Sequence, residues 1–376
     1  MATLAAEALC GFTDNPERSQ TLDRTWYFDP AIYERERTAI FHKTWQYVGH
    51  VSMLAKSGDF IVRDILDQSV VVLRDTKGRV RAFFNVCQHR AHRLLEGEGR
   101  VGGVITCPYH GWAYGTDGAL RNARGSDKLD TFDPDAFSLE PVRLDSFLGF
   151  LFVNLDGSAP AFAEVSGALA REVGAFSPDA ANLKCAHRSE YVLNANWKNS
   201  IENYSECFHC PNQHKSLVEN ALDYGSYRIT THEHHHSHHS TGVGQAQGYS
   251  TATEGAAKPD EFGSWLLWPN WCIEAYPGGN LTVFHHMPAG PEKTVQRCEW
   301  YFPHETPTAD EMEVIDFVHR VRLEDIPLCQ SVQQGLHSLG YRQGRFIVDE
   351  ARSEISEHAV HDFQSKVLAA LRAGRI

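Results

Sequence analysis

Cys87-Gln88-His89-Arg90-Ala91-His92-Arg93-Leu94 and Cys107-Pro108-Tyr109-His110-Gly111-Trp112-Ala113-Tyr114 are the two stretches on which the fold turns. Each supplies one thiol and one imidazole, as C-x-H in the first and C-x-x-H in the second. Each half sits at the end of a short β run, VRAFFNV at 80–86 and GVITCP at 103–108, where a tight turn is expected. Two such loops at the tip of a β module can converge on one metal centre. A set of two cysteines and two histidines also suits zinc. Finger-type zinc spacing, however, puts both cysteines in one knuckle and both histidines on one helix, whereas here each loop gives one of each. That argues for a centre in which the thiolates and imidazoles bind different metal atoms.

Outward from these loops, the texture is β-rich from about Asp59 to Asp156, with the runs FIVRDI, SVVVLRD and LGFLFVNL set between Gly, Asp and Asn turn residues. This predicts a compact antiparallel domain. Toward the N-terminus, Trp26–His50 reads as helix, with Asp29 as N-cap and Pro30 at N1. After Gly157-Ser158-Ala159-Pro160 come a helical patch, the strands GNLTVFHHMP and RCEWYFP, and two helical ends, Thr308–Leu339 and Ser353–Arg375. At 376 residues the chain exceeds what one core usually fills. The fold class is therefore α+β: an N-terminal helical segment over 1–45, an all-β domain over 46–157, and an α+β domain over 158–376.

The net charge of −13 argues against nucleic acid as a partner and is compatible with a cationic one. No run approaches the ~20 apolar residues of a membrane span. The opening MATLAAEALCGFTDNPERSQ lacks the basic and apolar regions of a signal peptide, so a cytoplasmic protein is expected. Nine cysteines then read as thiols or metal ligands rather than a disulfide framework. Within the C-x-x-C of Cys207 and Cys210, both thiols are expected to pack around the site. The histidine-rich run 232–239 is expected to be a surface loop. Gly242-Val243-Gly244-Gln245-Ala246-Gln247-Gly248 does not fit the dinucleotide fingerprint, so no nicotinamide site is expected.

A second constellation lies in Glu202-Asn203-Tyr204-Ser205-Glu206-Cys207-Phe208-His209-Cys210-Pro211-Asn212-Gln213-His214. On an ideal helix, residues five apart point about 140° from each other. His209 and His214 can share a metal only if the helix is broken between them, and Pro211 offers that break. A distant carboxylate would complete the two-histidine, one-carboxylate triad of non-haem Fe(II) oxygenases. Alone, either histidine would more often be an ordinary polar residue. Downstream of the first Cys/His set, the pair reads as a second metal site.

These motifs, with the flanks His89-Arg90-Ala91-His92-Arg93-Leu94 and Gly111-Trp112, resemble the Rieske non-haem iron oxygenases from Trp26 to Phe363. The resemblance implies a [2Fe–2S] cluster on Cys87, His89, Cys107 and His110 in an all-β Rieske domain. It further implies a helix-grip-like catalytic domain with a mononuclear Fe(II) on His209, His214 and Asp325, the last from Glu324-Asp325-Ile326-Pro327-Leu328. His92 and Tyr109 stand where respiratory Rieske proteins carry an extra disulfide, which implies the lower-potential oxygenase type. Glu206 matches the bridging carboxylate that links His110 of one subunit to His209 of the next in head-to-tail rings, with a homotrimer implied. Ring-dihydroxylating members have Asp at that position, so the longer Glu206 marks a subgroup.

The segment around Glu206-Cys207-Phe208-His209-Cys210, together with Ile355-Ser356-Glu357-His358, is most similar to the quaternary-ammonium oxygenases of the carnitine and betaine type. That implies O2-dependent hydroxylation beside a cationic nitrogen, with C–N cleavage or N-demethylation, fed by a separate NAD(P)H-dependent flavin and iron–sulfur reductase. A trimethylammonium group favours aromatic faces, worth ~0.5–2 kcal/mol each. Tyr204, Phe208, Trp265, Trp268 and Trp271 are the candidate cage residues. The alternatives are hydroxylation of an aromatic ring, or a pure electron carrier in which the second histidine pair is structural.

Overall fold

The computed structural model describes residues 11–241, 257–258, 260–278 and 280–373. The segment 242–248, considered above as a nucleotide motif, and residues 1–10 of the N-terminal stretch lie outside the described residues. The chain divides into two compact units, Phe41–Phe162 and the combination of Met1–Ile40 with Ala163–Ile376.

Phe41–Phe162 is built from three small antiparallel sheets. Asp59–Ile65 lies between Gln68–Arg74 and Glu98–Arg100, and Val80–Phe84 completes that sheet beyond Gln68–Arg74. Val104–Thr106, Ala113–Gly115 and Leu120–Asn122 form the second sheet, and Gln46–His50 with Phe150–Asn154 and Arg143–Phe147 the third. Phe60, Val71, Leu73, Phe83, Ile105, Trp112 and Tyr114 share one core with Cys87 and Cys107. The expected helix Trp26–His50 is corrected here. Asp29 does cap a helix with Pro30 in its first turn, but that helix ends at Glu36 and passes into a wider π turn over Arg37–Phe41. Gln46–His50 is instead a fully buried strand paired with Phe150–Asn154. Tyr47 and Trp45 find aromatic neighbours in Phe152 and Phe162, so sheet packing overrides the helical pattern.

The larger unit carries a seven-stranded antiparallel sheet in the order Lys184–Leu193, Lys293–Phe302, Asn280–Gly290, Trp271–Tyr276, Glu261–Leu267, His235–Thr241 and Arg228–Thr231. The expected strands at 279–288 and 297–303 are the long central ones. The histidine run, expected as a surface loop, is also corrected: His235–Thr241 is an inner strand, and His235, His236 and His238 are buried. Side chains such as Tyr227, whose hydroxyl is 2.9 Å from His238 Nδ1, satisfy imidazoles that the sequence alone suggests to be solvated.

Two helices bring the site residues to this sheet. Asn196 caps Trp197–Tyr204, accepting from Lys198 N. Lys198 Nζ forms an ion pair of 2.6 Å with Glu36 Oε1, and both side chains are fully buried. Glu36 Oε2 accepts from Trp197 Nε1 at 2.8 Å, which anchors the start of that helix. The 28-residue helix Ala309–Leu336 begins with a capping box of Thr308 and Glu311. Asn199 Nδ2 donates to Cys329 O at 2.9 Å and Gln333 Oε1 accepts from Asn196 N at 2.9 Å, fixing the register of one helix against the other. No helix among the described residues is long and apolar enough to cross a membrane.

Candidate functional site

The two Cys/His loops of the smaller unit have matching backbones. Cys87 N donates to His92 O and Cys107 N to Trp112 O, while Ala91 N and Gly111 N close back onto Cys87 O and Cys107 O. Each turn is completed by a left-handed residue four positions after its cysteine, Ala91 at φ 54° and Gly111 at φ 76°. The consequence is a sorted donor set. Cys87 and Cys107 are buried at 2% and 1% exposure, whereas His89 is exposed and His110 half-exposed. The two imidazoles lie beside each other with ring centroids 4.6 Å apart, and His89 stacks on Trp112 at 4.8 Å. Tyr114 OH is 3.3 Å from Cys87 Sγ and accepts from Gln88 N at 3.0 Å, so its own proton is directed at the sulfur. Inner thiolates and outer imidazoles fit a cluster with chemically distinct iron atoms.

The second site forms where the chain leaves Trp197–Tyr204. Ser205 ends that helix, and a turn over Glu206–Phe208 leads to the single helical turn Cys210–Gln213. Pro211 sits at the start of this turn, so it is not the break. The break falls at His214, whose φ of −110° and ψ of 58° leave the helical region before Lys215–Asn220 resumes. Cys207 and Cys210 are joined as a disulfide, correcting the expectation of free packing thiols. The crosslink closes the turn that carries Phe208 and His209. The remaining described cysteines are free.

His209 Nε2, His214 Nε2 and Asp325 Oδ1 face one another. The separations are 3.1 Å between the two nitrogens, 2.8 Å from His214 to Asp325 and 3.4 Å from His209 to Asp325. Adjacent donors around an ion bound at ~2.1 Å in octahedral geometry lie ~3.0 Å apart, so the spacing suits one cation on a single face. The outer hydrogen bonds point the same way. His209 Nδ1 meets Glu206 Oε1 at 2.6 Å and His214 Nδ1 meets Glu324 Oε2 at 2.7 Å. A carboxylate at Nδ1 fixes the proton there and turns the Nε2 lone pair toward the centre. Two lone pairs facing each other at 3.1 Å repel unless a metal ion or a proton lies between them. Burial pushes the Asp325 carboxyl up, but Arg322, 2.8 Å from Oδ2, with His209 and His214 holds it well below the usual carboxylate range. Arg322 thereby lies at the Oδ2 side as an ion pair without a formed hydrogen bond, while Oδ1 faces the two imidazoles.

A pocket opens beside this triad, lined by Tyr204, Tyr227, Phe262, Tyr276, Glu274 and Arg322 together with His214 and Asp325. Tyr204 is the only one of the five expected cage residues that lines it. Phe208 is 43% exposed and outside it, and Trp265, fully buried, spends its indole N–H on Glu172 at 2.9 Å. Trp268 packs against Trp197 and Phe363, and Trp271 is buried within its own strand. Tyr227, Phe262, Tyr276 and Glu274 were not legible as pocket residues. Glu274 and Tyr276 lie two apart on one strand, a period-two signal that marks a shared face without saying which. Glu274 is 5% exposed, burial raises its carboxyl pKa, and its Oε2 has no hydrogen-bond partner.

Comparison with known proteins agrees with both centres. Residues 44–133 match the Rieske [2Fe–2S] domain, and residues 180–373 match the ring-hydroxylating alpha subunit catalytic domain. The chain is 36% identical to the carnitine monooxygenase oxygenase subunit of Acinetobacter baumannii, over 95% of this chain and 96% of that protein. It is 33% identical to the chloroplastic choline monooxygenase of Beta vulgaris, over 89% of this chain and 74% of that one. The crystal structure of a quaternary ammonium Rieske monooxygenase in complex with L-carnitine superposes with a TM-score of 0.85 at 35% identity, covering 96% and 97% of the two chains. Naphthalene 1,2-dioxygenase from Rhodococcus shares the fold, with a TM-score of 0.79 at 20% identity over 93% and 94%. With a catalytic-domain match over half its length, a [2Fe–2S] domain and a mononuclear iron domain in one chain, this protein belongs to the Rieske non-haem iron oxygenases.

Proposed function

We propose that the chain is the terminal oxygenase of a system that hydroxylates a small quaternary-ammonium compound, of the carnitine or betaine type, beside its nitrogen. In this reading residues 46–157 form the cluster domain, with Cys87, His89, Cys107 and His110 as ligands. Residues 158–376 form the catalytic domain, with iron on His209, His214 and Asp325, and residues 11–40 pack with it. The bound iron supplies O2 activation. The chain's own residues supply orientation and charge: Glu206 and Glu324 hold the two imidazoles by their Nδ1 protons, and Arg322 pairs with Asp325 on its Oδ2 side. Glu206, whose Oε1 meets His209 Nδ1 and whose Oε2 accepts from His209 N at 3.2 Å, also serves as the electron bridge to His110 of an adjacent copy in a head-to-tail trimer. A separate reductase delivers the electrons.

The single observation that carries the substrate class is Glu274. A carboxylate buried to 5% exposure with an unpartnered oxygen is costly unless a cation completes it. Tyr204, Tyr227, Tyr276 and Phe262 line the same pocket, and aromatic faces suit an ammonium that carries methyl groups instead of N–H donors. Arg322 lies in that pocket too, with a buried Nε that donates to nothing. Arg322 is already ion-paired with Asp325, so what the pocket leaves is one Glu274 oxygen for an ammonium and the Arg322 Nε–H for an acceptor on the same substrate.

The test is oxygen uptake with a suitable reductase across carnitine, γ-butyrobetaine, choline, glycine betaine and simple aromatics. Coupled turnover with one or more of the quaternary ammonium compounds, and none with the aromatics, is expected. Coupled turnover with aromatics alone would replace this reading by ring hydroxylation.

A further inference from the structure

Glu172 lies on the helix Phe162–Phe176 opposite the histidine-bearing strand, and three imidazoles converge on its carboxylate. His235 Nε2 is 3.2 Å and His232 Nε2 3.5 Å from Oε1, and His239 Nε2 is 3.7 Å from Oε2. Trp265 Nε1 donates to Oε2 at 2.9 Å. As a purely structural hub, Glu172 is already served by Trp265 and His235. His232 and His239 then point polar nitrogens at it from 3.5 and 3.7 Å, at or beyond the edge of ordinary hydrogen-bond reach. The spacing has another reading. Ligands bound tetrahedrally at 2.0–2.1 Å have donor atoms about 3.3 Å apart, and the separations of His235 and His232 from Glu172 Oε1, 3.2 and 3.5 Å, bracket that edge. Glu172, His232 and His235 also have their donor atoms within 4.8 Å of one another.

We propose that Glu172, His232 and His235 form a further transition-metal site, separate from both iron centres and suited to a borderline divalent ion such as Zn2+. Imidazole and carboxylate donors match that class. Neutral imidazoles and one carboxylate carry a charge of −1, so a divalent ion leaves the site at +1, which a bound hydroxide would neutralise. His232 and His239 are 33% and 38% exposed at the side chain, which gives an ion a way in, while His235 at 2% anchors it. His232 and His235 are stacked with centroids 4.1 Å apart and planes 8° from parallel, so coordination by both requires the more exposed His232 ring to tilt out of the stack.

The experiment uses the holoenzyme with both iron centres loaded. It is titrated with Zn2+, equilibrated against a weak chelator, and its zinc and iron are counted together. One zinc per chain at unchanged iron content is expected, and the His232→Ala/His235→Ala double variant should lose it. Glu172→Gln, which keeps the shape of the hub, should weaken zinc by about tenfold or more while both irons stay bound. With Cu2+ as probe in the oxidised protein, nitrogen hyperfine structure in the electron paramagnetic resonance spectrum should appear in the parent and vanish in the double variant. Zinc that binds only as iron leaves, or binds equally in the parent and in Glu172→Gln, would overturn the proposal.

Discussion

His214 Nδ1 stands 2.7 Å from Glu324 Oε2, while its Nε2 stands 2.8 Å from Oδ1 of the very next residue, Asp325. Two consecutive carboxylates on one helix thus grip the two nitrogens of a single imidazole, one orienting it and one facing the metal position beside it. Replacing Glu324 by Ala removes the orienting partner but no ligand. Iron affinity should fall about 10–100-fold, as for other outer-shell partners, with the cluster spectrum intact. Unchanged iron retention during dialysis against chelator would mean that Glu324 is incidental.

Tyr114 directs its hydroxyl at Cys87 Sγ from 3.3 Å. A hydrogen bond to a cluster-ligand sulfur favours the more negative, reduced state. Tyr114→Phe should therefore lower the cluster's reduction potential by tens of millivolts, measured by redox titration of its spectrum. A potential that does not move, or that rises, would contradict this role.

Glu202 gives a pH dependence with a definite sign. Burial pushes its carboxyl up to about 7, against the 2.7 Å hydrogen bond from Tyr27, and Glu357 is likewise raised to about 7 by burial. In the unfolded chain a glutamate titrates near 4.3. Between these values the folded state binds more protons than the unfolded one. The contribution is therefore complete below about pH 4.3 and is lost as pH rises through about 7. Thermal melting between pH 5 and 8 should show this loss, and Glu202→Gln should flatten part of it. An identical slope in that variant would assign the dependence elsewhere.

The Lys198–Glu36 pair has no solvent to fall back on. Lys198→Met leaves Glu36 charged and buried and should cost about 3–5 kcal/mol in denaturant unfolding. Lys198→Met combined with Glu36→Leu should recover part of that loss, because no lone charge remains. A double variant as unstable as the two losses summed would show that the pair is not coupled.

The two Cys/His loops and the His209/His214 pair stood out in the sequence because their residues lie at short, distinctive spacings, whereas Asp325 was named only through the resemblance. The all-β texture of 59–156 was legible because its turns are marked by Gly, Asp and Asn. What escaped has a common physical cause. Gln46–His50 has a pattern compatible with a helix, and only its pairing with Phe150–Asn154 makes it a strand. The histidines at 235, 236 and 238 look hydrophilic in sequence, yet cross-strand partners bury them. Pro211 marks a helix start, whereas the break falls at His214, a residue with no breaker signal of its own. Glu274 and the tyrosines of the pocket come together across strands and helices far apart in the chain, and no local spacing encodes that.

The most direct measurement is made on His214→Ala: iron content, the electron paramagnetic resonance spectrum of the reduced protein, and oxygen uptake with reductase and a quaternary-ammonium substrate, all on one preparation. The mononuclear iron and the oxygen uptake should be lost while the rhombic Rieske signal stays at full strength. An intact mononuclear iron with undiminished turnover would contradict the assignment of His209, His214 and Asp325 as the oxygen-activating site.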